Sequence, residues 1–434
     1  MKRKFLLMAL AAFCFVKNAA SQDTITVMQY NLLNYGNITY YCPADTNKAS
    51  DKNNWIRTIV NYVNPTVFTV NEMNYQAKFH DSLLNNALNV NGINYYRKAP
   101  STNIAGSGLI NLLYYDSRKV ECVGRYVAQS FLRDATVYKM MYKSPDLADG
   151  DTIYFYCILV HLKAGDESYG IDNPEQRDSM AVGVMRWIDG FDRTHDKNVM
   201  IMGDFNVYTS DEPAYQTLTN YQPNAAIRFY DPINTPGDWN EDEDYASVHT
   251  QSTRLVSNDC HSGGGLDDRF DYILVNQHVK ENNWGVGYVN GSYRAIGNDG
   301  NHFNRSVNQG SNSSVPTAVL SALYNNSDHL PVMLRLAIDA APAVSLNTPG
   351  NVSASIEINP NPVRNNLKIS VVNGNGDMNF SLNIISADGR LMTGEHFAGT
   401  DFVTDVTALL PGTYVAQITD SKGKILCSKT FIKQ

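Results

Sequence analysis

A layered α/β domain followed by a small all-β unit is what this 434-residue sequence predicts. Three observations predict it. Apolar runs of strand length alternate with stretches of helical spacing up to about residue 338; a small, Pro-containing and almost uncharged segment follows; beyond it the texture is strands and tight turns without a helix. The chain is too long for one average domain and long enough to bury a large core. A hydrophobic content of 43% with 18% charged residues places it among ordinary globular proteins.

The chain begins "MKRKFLLMALAAFCFVKNAASQ". A basic start, an apolar stretch from Phe5 to Val16 and small residues at Ala19, Ala20 and Ser21 predict a secretory signal over residues 1–21. The apolar stretch is too short to cross a bilayer, which takes roughly 20 residues, and Cys14 lies inside it rather than at its end, which argues against a lipid anchor. No later segment is a membrane-span candidate. Processing removes Lys2, Arg3, Lys4 and Lys17 and leaves 31 basic against 43 acidic residues, a net charge of −12. A broad basic surface is therefore excluded as the means of holding a partner. The five remaining cysteines, Cys42, Cys122, Cys157, Cys260 and Cys427, form neither a zinc pattern nor a dense disulfide framework, which leaves one or two bridges open to an exported protein.

From residue 22 to 338 the predicted strands are "TITVMQYNLL", "PTVFTVNE", "GLINLLYY", "TIYFYCILVHLK", "NVMIMGDFN", "FDYILVN" and "LPVMLRLAI". Between them "NNWIRTIVNYV", "KFHDSLLNNAL" and "PEQRDSMAVGVMRWIDGF" have helical spacing, with Pro174 as a helix-start residue. Sheets in the middle and helices outside is the arrangement such alternation demands. Two stretches read as long loops: the acidic "GDWNEDEDYASVH" and the Asn-, Gly- and Ser-dense span from Tyr288 to Asn326. Loops of that length are commonly functional or disordered. Residues 339–355 read as a linker. Residues 356–434 read as an all-β domain, in which acidic and basic residues balance at seven each from Asn351 onward. The excess negative charge belongs to the first region.

Polar residues gather where the apolar strands of that region end. Asn31, Glu72, His161, Asp204, Asn206, Asp271, Asp328 and His329 all stand at such positions. Each alone has a bland reading as a strand reaching water. Spacing favours function: Asp204 and Asn206, two apart on an extended backbone, point to one face, and Gly203 before them permits close backbone approach. His161 and Lys163 share that offset. Carboxylate and amide oxygens suit a hard cation such as Mg²⁺, with Mn²⁺ or Ca²⁺ as alternatives, and histidines nearby can move protons. The set suits metal-assisted hydrolysis of a phosphate ester by water.

"QYNLLNYG", "VNEMN", "LVHLK", "GDFN", "RFDYILV" and "SDHLPV", in that order from about Thr24 to Ile338, resemble the endonuclease/exonuclease/phosphatase superfamily. That resemblance implies a four-layer α/β/β/α sandwich with the site at one edge. It implies Glu72 as the principal Mg²⁺ ligand, with Asn31 beside it and Asp328 contributing. It implies His329 as the catalytic histidine oriented by Asp271, Asp204 as the group that positions or deprotonates water, Asn206 as a phosphate holder, and His161 as a stabiliser of the transition state. One departure is Asn71, where the family usually has Gln before the Glu. Lys163 reads as a solvated strand-end residue more than a phosphate contact.

"INPNPVRNNLKI", "ADGRL", "LPGTYVAQI" and "KTFIKQ" resemble the C-terminal sorting domain of type IX secretion, against the alternative of a carbohydrate- or surface-binding module. The combined expectation is a phosphoesterase exported through the periplasm to the cell surface or outside. The secretion machinery is then one partner and nucleic acid, DNA or RNA, the leading substrate. Nothing demands more than a monomer. The alternatives are a sphingomyelinase-like enzyme for a lipid headgroup or small phosphate ester, and a non-catalytic binding protein. Against the former, "SYRAIGNDGNHFNRS" offers Tyr293 and Phe303 but no paired aromatic tip.

Overall fold

The computed structural model describes residues 23–143, 152–166, 172–193, 197–338, 355–372, 379–386, 391–419 and 425–434. The signal segment and most of the linker read from the sequence lie outside them. The chain divides into two compact units, residues 1–344 and 345–434.

The first unit runs β1 (Asp23–Tyr35), α1 (Ala49–Val63), β2 (Val67–Asn74), α2 (Ala77–Leu83), β3 (Tyr96–Lys98), β4 (Leu109–Asp116), β5 (Val120–Gln129), β6 (Ala135–Tyr142) and β7 (Tyr154–His161). It continues with α3 (Asn173–Phe191), β8 (Asn198–Asp204), α4 (Pro213–Thr219), β9 (Phe229–Tyr230), β10 (Asp271–Asn276), α5 (Gln277–Glu281), β11 (Val286–Tyr288), β12 (Arg294–Ala295), α6 (Thr317–Asn326) and β13 (Val332–Ile338). One sheet has the order β11-β13-β1-β2-β4-β3 with β12 on β13; the other is β5-β6-β7-β8-β10-β9.

Period-two alternation explains the stacking. Along β1, Ile25 and Val27 face a core shared with Phe155, Cys157, Met200 and Ile273 of the second sheet. Met28, Tyr30 and Leu32 face the other way, into a core with Ile56 and Ile59 of α1 and Leu323 of α6. On the outside of the second sheet, Ile158, Val160, Val199 and Ile201 pack against Met180, Val184 and Ile188 of α3. Three cores separate four layers, helix, sheet, sheet and helix. Each fully buried aliphatic or aromatic side chain stabilises the stack by about 1.5–3 kcal/mol. Helix α3 starts as its sequence predicts: Asp172 caps it by accepting from the Glu175 N–H at 2.8 Å, and Pro174 sits in the first turn, where a missing N–H costs nothing.

Two sequence expectations need correcting. The span from Tyr288 to Asn326 is not one long loop, since it holds β12 and the three-turn helix α6, whose apolar residues Val319, Leu320 and Leu323 are buried. The hairpin β5–β6 leaves no strand signal in the sequence, because β5 is an edge strand whose residues are mostly exposed or half-buried and show no apolar run.

The second unit has a three-stranded sheet and a four-stranded sheet. Ile369, Leu382, Ile384, Ala416, Ile418 and Phe431 fill the core they share. It is a small all-β unit, as its alternating texture predicts.

Candidate functional site

Strand register lines up the first three side chains. In the parallel pair β7/β8, His161 lies opposite Asp204; in the antiparallel pair β8/β10, Asp204 lies opposite Asp271. Side chains of directly paired residues share a face, so His161, Asp204 and Asp271 form a row across three central strands at one edge of their sheet. Gly203, just before Asp204, has φ +150°, and a Cβ there would fall 1.8 Å from the Val160 carbonyl oxygen, so only glycine fits. The close approach inferred for Gly203 is thus made to the neighbouring strand.

The other sheet supplies Asn31 and Glu72. Asn31 pairs with Asn71, after which the register of both β1/β2 and β2/β4 shifts. Glu72 sits at that break in the left-handed region, φ +57°, which a non-glycine residue adopts at a cost of about 1–3 kcal/mol. The break lets Glu72 turn towards Asp204 instead of continuing the pleat. Its Oε2 accepts from the Asn34 N–H at 2.8 Å, while Asn31 Nδ2 donates to Glu72 Oε1 at 3.1 Å and to Asp204 Oδ2 at 2.9 Å. Asn31 bridges the two carboxylates, and its own oxygen accepts from the Leu33 N–H.

Asn71, the departure from the family pattern, joins the sheets. Its Nδ2 donates to the Val160 carbonyl at 2.9 Å and to Asn111 Oδ1 at 2.7 Å, and its Oδ1 accepts from the Asp204 N–H at 2.9 Å. The shorter side chain is fully occupied in holding the strand of Glu72 to the strand of Asp204.

His329 reaches the row from the turn before β13. Its Nδ1 is 2.7 Å from Asp271 Oδ2, and its Nε2 lies 2.9 Å from the Gln251 amide, 3.7 Å from Asp204 Oδ2 and 4.0 Å from Asp328 Oδ1. The His161 Nε2 approaches from the opposite side, 3.6 Å from Asp204 Oδ2 and 3.9 Å from Glu72 Oε1. Asp328 accepts from the Ser262 N–H through Oδ2 at 2.9 Å, while its Oδ1 has no hydrogen-bond partner among the described residues. Asn206, also left-handed at φ +51°, donates its N–H to Asp204 Oδ1 and its Nδ2 to the Leu162 carbonyl. All eight residues singled out in the sequence therefore belong to one connected cluster. Lys163 stands apart, half-buried, with its ammonium on the Ala164 carbonyl at 2.7 Å.

The electrostatics separate the members. Burial pushes the Asp204 carboxyl up to about 7, the nearby Asp271 and Glu72 charges adding to the rise against the pull of His329. Burial opposes charge on His329, but Asp271, Asp204 and Asp328 outweigh it and hold the imidazole well above its ordinary value. Burial drives His161 the other way, well below the ordinary value, with Arg133, His329 and Lys163 adding to the fall. At neutral pH His329 is charged and His161 is not.

Glu72, His161 and Asp204 each offer a ligand atom, and these atoms lie within 4.8 Å of one another. Ligand atoms on opposite sides of Mg²⁺ or Ca²⁺ stand roughly 4.2–5 Å apart, from bond lengths of about 2.1 and 2.4 Å. The residues present fit a divalent cation. This donor set shares only Glu72 with the set of Asn31, Glu72 and Asp328 implied by the family resemblance.

Four residues escaped the sequence reading. Arg133 donates to the His161 and Leu162 carbonyls, bringing a guanidinium beside Glu72 and Asp204. Gln251 meets His329. Thr250 accepts from the N–H groups of Phe270 and Asp271, fixing the start of β10. Lys52, buried in α1 and with its pKa pushed by burial down to about 7, donates to the Leu32 carbonyl at 2.9 Å and to the Asn326 carbonyl, clamping both flanks of the site. Only Lys52 left a signal, a charge on the apolar face of a helix.

No curated protein matches the sequence. Among solved structures, the fold is similar to an endonuclease/exonuclease/phosphatase family protein of Bacteroides thetaiotaomicron, with 15% identity, 74% of this chain and 98% of that chain covered, and a TM-score of 0.44. It is also similar to D. rerio TDP2 complexed with a single strand DNA product (12%, 72% and 98%, 0.45) and to the B. thetaiotaomicron mannosyl-6-phosphatase Bt3783 (15%, 72% and 99%, 0.42). In the second unit, residues 357–434 match the family model of the secretion system C-terminal sorting domain, so the chain is delivered by that system to the cell surface or outside the cell.

Proposed function

We propose that the first unit is a metal-dependent phosphoesterase that cleaves the phosphodiester bonds of nucleic acid by attack of water. The observation that carries this reading is the pair of opposed imidazoles about Asp204: His329 charged and locked by Asp271 on one side, His161 neutral with Glu72 on the other.

Each group has a task its surroundings suit. Glu72 and Asp204 would hold the cation, with His161 completing the donor set. A bound divalent cation supplies charge to offset the phosphate and lowers the pKa of water. Asp204 lies beside the reacting position, where a carboxylate oxygen can position the attacking water. His329 presents a charged N–H from Nε2, the donor an anionic phosphoryl oxygen needs as charge builds on it. Arg133 adds a second positive charge at the His161 side. His161, being uncharged, offers a lone pair or a hydrogen bond; stabilisation by full charge falls to His329 and Arg133. Asn206 keeps Asp204 oriented through its N–H, and its amide lies at the site's edge for a phosphate oxygen. Asn31 sets the spacing of the two carboxylates.

The test is to incubate the purified protein with plasmid DNA, RNA, sphingomyelin and 4-nitrophenyl phosphate, each with Mg²⁺ and with chelator. Cleavage of DNA or RNA that the chelator abolishes is the expected result. Hydrolysis confined to sphingomyelin or the monoester would overturn the nucleic-acid reading, and no hydrolysis at all would overturn the catalytic one. In "SYRAIGNDGNHFNRS", Tyr293 is buried with its hydroxyl 3.3 Å from the Asp271 carbonyl, so that segment offers no lipid-inserting pair.

A further inference from the structure

Several aromatic side chains of the first unit are exposed; Tyr62, Tyr126 and Trp284 stand away from the strand ends that carry the candidate site, and four others stand by them. Tyr40 and Tyr41 are 92% and 75% exposed, and Tyr75 and Phe131 are about half exposed, at 51% and 48%. Three stand on loops that leave strand ends bearing the site, Tyr40 and Tyr41 between β1 and α1 and Tyr75 directly after β2; Phe131 is in the β5–β6 turn, beside the end of β7 that carries His161.

Each loop is tied to the cluster. The Asn34 N–H at the root of the first loop holds Glu72. Tyr75 is three residues beyond Glu72, on the same strand end. Phe131 accepts, through its carbonyl, from the N–H of Arg133, whose guanidinium holds the His161 carbonyl. The Tyr40 and Tyr41 rings meet edge to face with centroids 5.2 Å apart. Directly after them, Cys42 is bonded to Cys260, and two residues on from Cys260 the Ser262 N–H holds Asp328. Rings on a loop cross-linked in this way are set in place before any ligand arrives, which lowers the ordering cost of binding.

Their chemistry selects a partner. Net charge −12 on the mature chain, with a balanced second region, gives the first unit no long-range attraction for a phosphate backbone. What it offers instead is π surface. A duplex covers its base faces by stacking them on one another; an unpaired strand presents them, and aromatic side chains bind such bases with little regard to sequence. Three of the four rings carry a hydroxyl, and the four are spread over three loops near the candidate site. That distribution suits bases splayed along a strand better than the single apolar wedge a bilayer would take.

We infer that Tyr40, Tyr41, Tyr75 and Phe131 form a stacking rim that selects single-stranded nucleic acid and feeds unpaired nucleotides to the site. This rests on the phosphodiesterase reading above. The experiment uses the mature protein with Mg²⁺, a single-stranded oligonucleotide, the duplex of the same sequence, and bis(4-nitrophenyl) phosphate, a diester with no bases to stack. Stacking on an aromatic ring is worth on the order of tenfold in affinity per base. The single strand should be cleaved with kcat/KM at least about tenfold above the duplex, and Tyr40→Ser/Tyr41→Ser should raise KM for the strand by about tenfold or more while leaving turnover of the small diester unchanged. A fourfold rise in salt should weaken binding of the strand by less than about tenfold, the slope of one or two phosphate contacts. Equal cleavage of duplex and strand, or an unchanged KM in the double variant, overturns the rim. So does binding to phosphatidylcholine vesicles that the double variant loses while strand cleavage persists. Failure to hydrolyse either the small diester or any nucleic acid removes the phosphodiesterase reading itself, and the rim with it, so the two failures are told apart by the small diester.

Discussion

His329 and His161 are both buried, both at a strand end and both within 4 Å of the same Asp204 oxygen, yet one is charged and the other neutral. Burial acts on them alike and favours the neutral ring in each. The difference lies in what touches the far nitrogen. His329 Nδ1 has Asp271 at 2.7 Å, whereas His161 Nδ1 has no hydrogen-bond partner among the described residues and Arg133 stands nearby. The carboxylate on the remote side is the largest of the charges that hold the proton on His329, and nothing matches it on His161. A site that needs a fixed charge and a neutral ligand can build both from the same residue type and the same depth.

The largest effect should come from removing the charged member or the carboxylate facing the neutral one. His329→Ala and Glu72→Gln are each expected to lower turnover by at least about a hundredfold, the loss seen when a key acid–base or electrostatic group goes. Circular dichroism should show the fold intact. Near-normal activity in both purified variants would break the assignment of the two halves to one reaction.

Asp271→Asn sharpens the comparison, since it removes the largest of the charges that separate His329 from His161. Turnover should fall by about tenfold to a hundredfold, and nitrogen-15 imidazole spectra should show His329 change from charged to neutral at pH 7. The stability effect has a definite sign. His329 has a folded pKa above its unfolded value of about 6.5, so its contribution is fully present below pH 6.5 and is lost as pH rises through the folded value. The variant lacks that contribution at every pH. The gap in unfolding free energy between the native protein and Asp271→Asn should therefore be widest below pH 6.5 and narrow as pH rises above it. A gap that widened with pH would mean that Asp271 does not hold the proton on His329.

The two histidines also mark what the sequence could and could not reveal. Strand ends were legible because an apolar run stopping at a polar residue is a local pattern, and "GDFN" and "SDHLPV" each bring their side chains to one place by local geometry. The second unit was legible for the same reason, from its alternation. The stack of two sheets was legible through the family resemblance, but the residues that its closure brings to the site from elsewhere were not. Arg133 and Gln251 reach the histidines only through tertiary contacts, Arg133 from the exposed edge hairpin and Gln251 from the segment before β10. The left-handed turn at Glu72 leaves no mark in a sequence without glycine there, although it decides where that carboxylate points. The charge difference between His161 and His329 depends on Arg133 and Asp271, which lie 28 and 58 residues away along the chain.

The smallest effect should come from the loop link, and it probes how rigidly the outer supports hold the two halves. Cys42 and Cys260 are 218 residues apart, and the bridge joins the loop rooted at Asn34, which holds Glu72, to the segment whose Ser262 holds Asp328 beside His329. A cross-link spanning that separation restrains the unfolded chain, and its loss typically costs about 2–5 kcal/mol in proteins that depend on it. This unit also has three large apolar cores, so Cys42→Ser/Cys260→Ser should still fold, with a lower Tm. Because Glu72 keeps Asn31 and the Asn34 N–H, and Asp271 keeps His329, the reacting groups stay in place and turnover should fall by only about threefold to tenfold, in keeping with a slight loss of positioning. A hundredfold loss at a temperature where the variant is folded would mean that the bridge, and not the Asn31–Asn71 network, fixes the distance between the charged imidazole and the carboxylates.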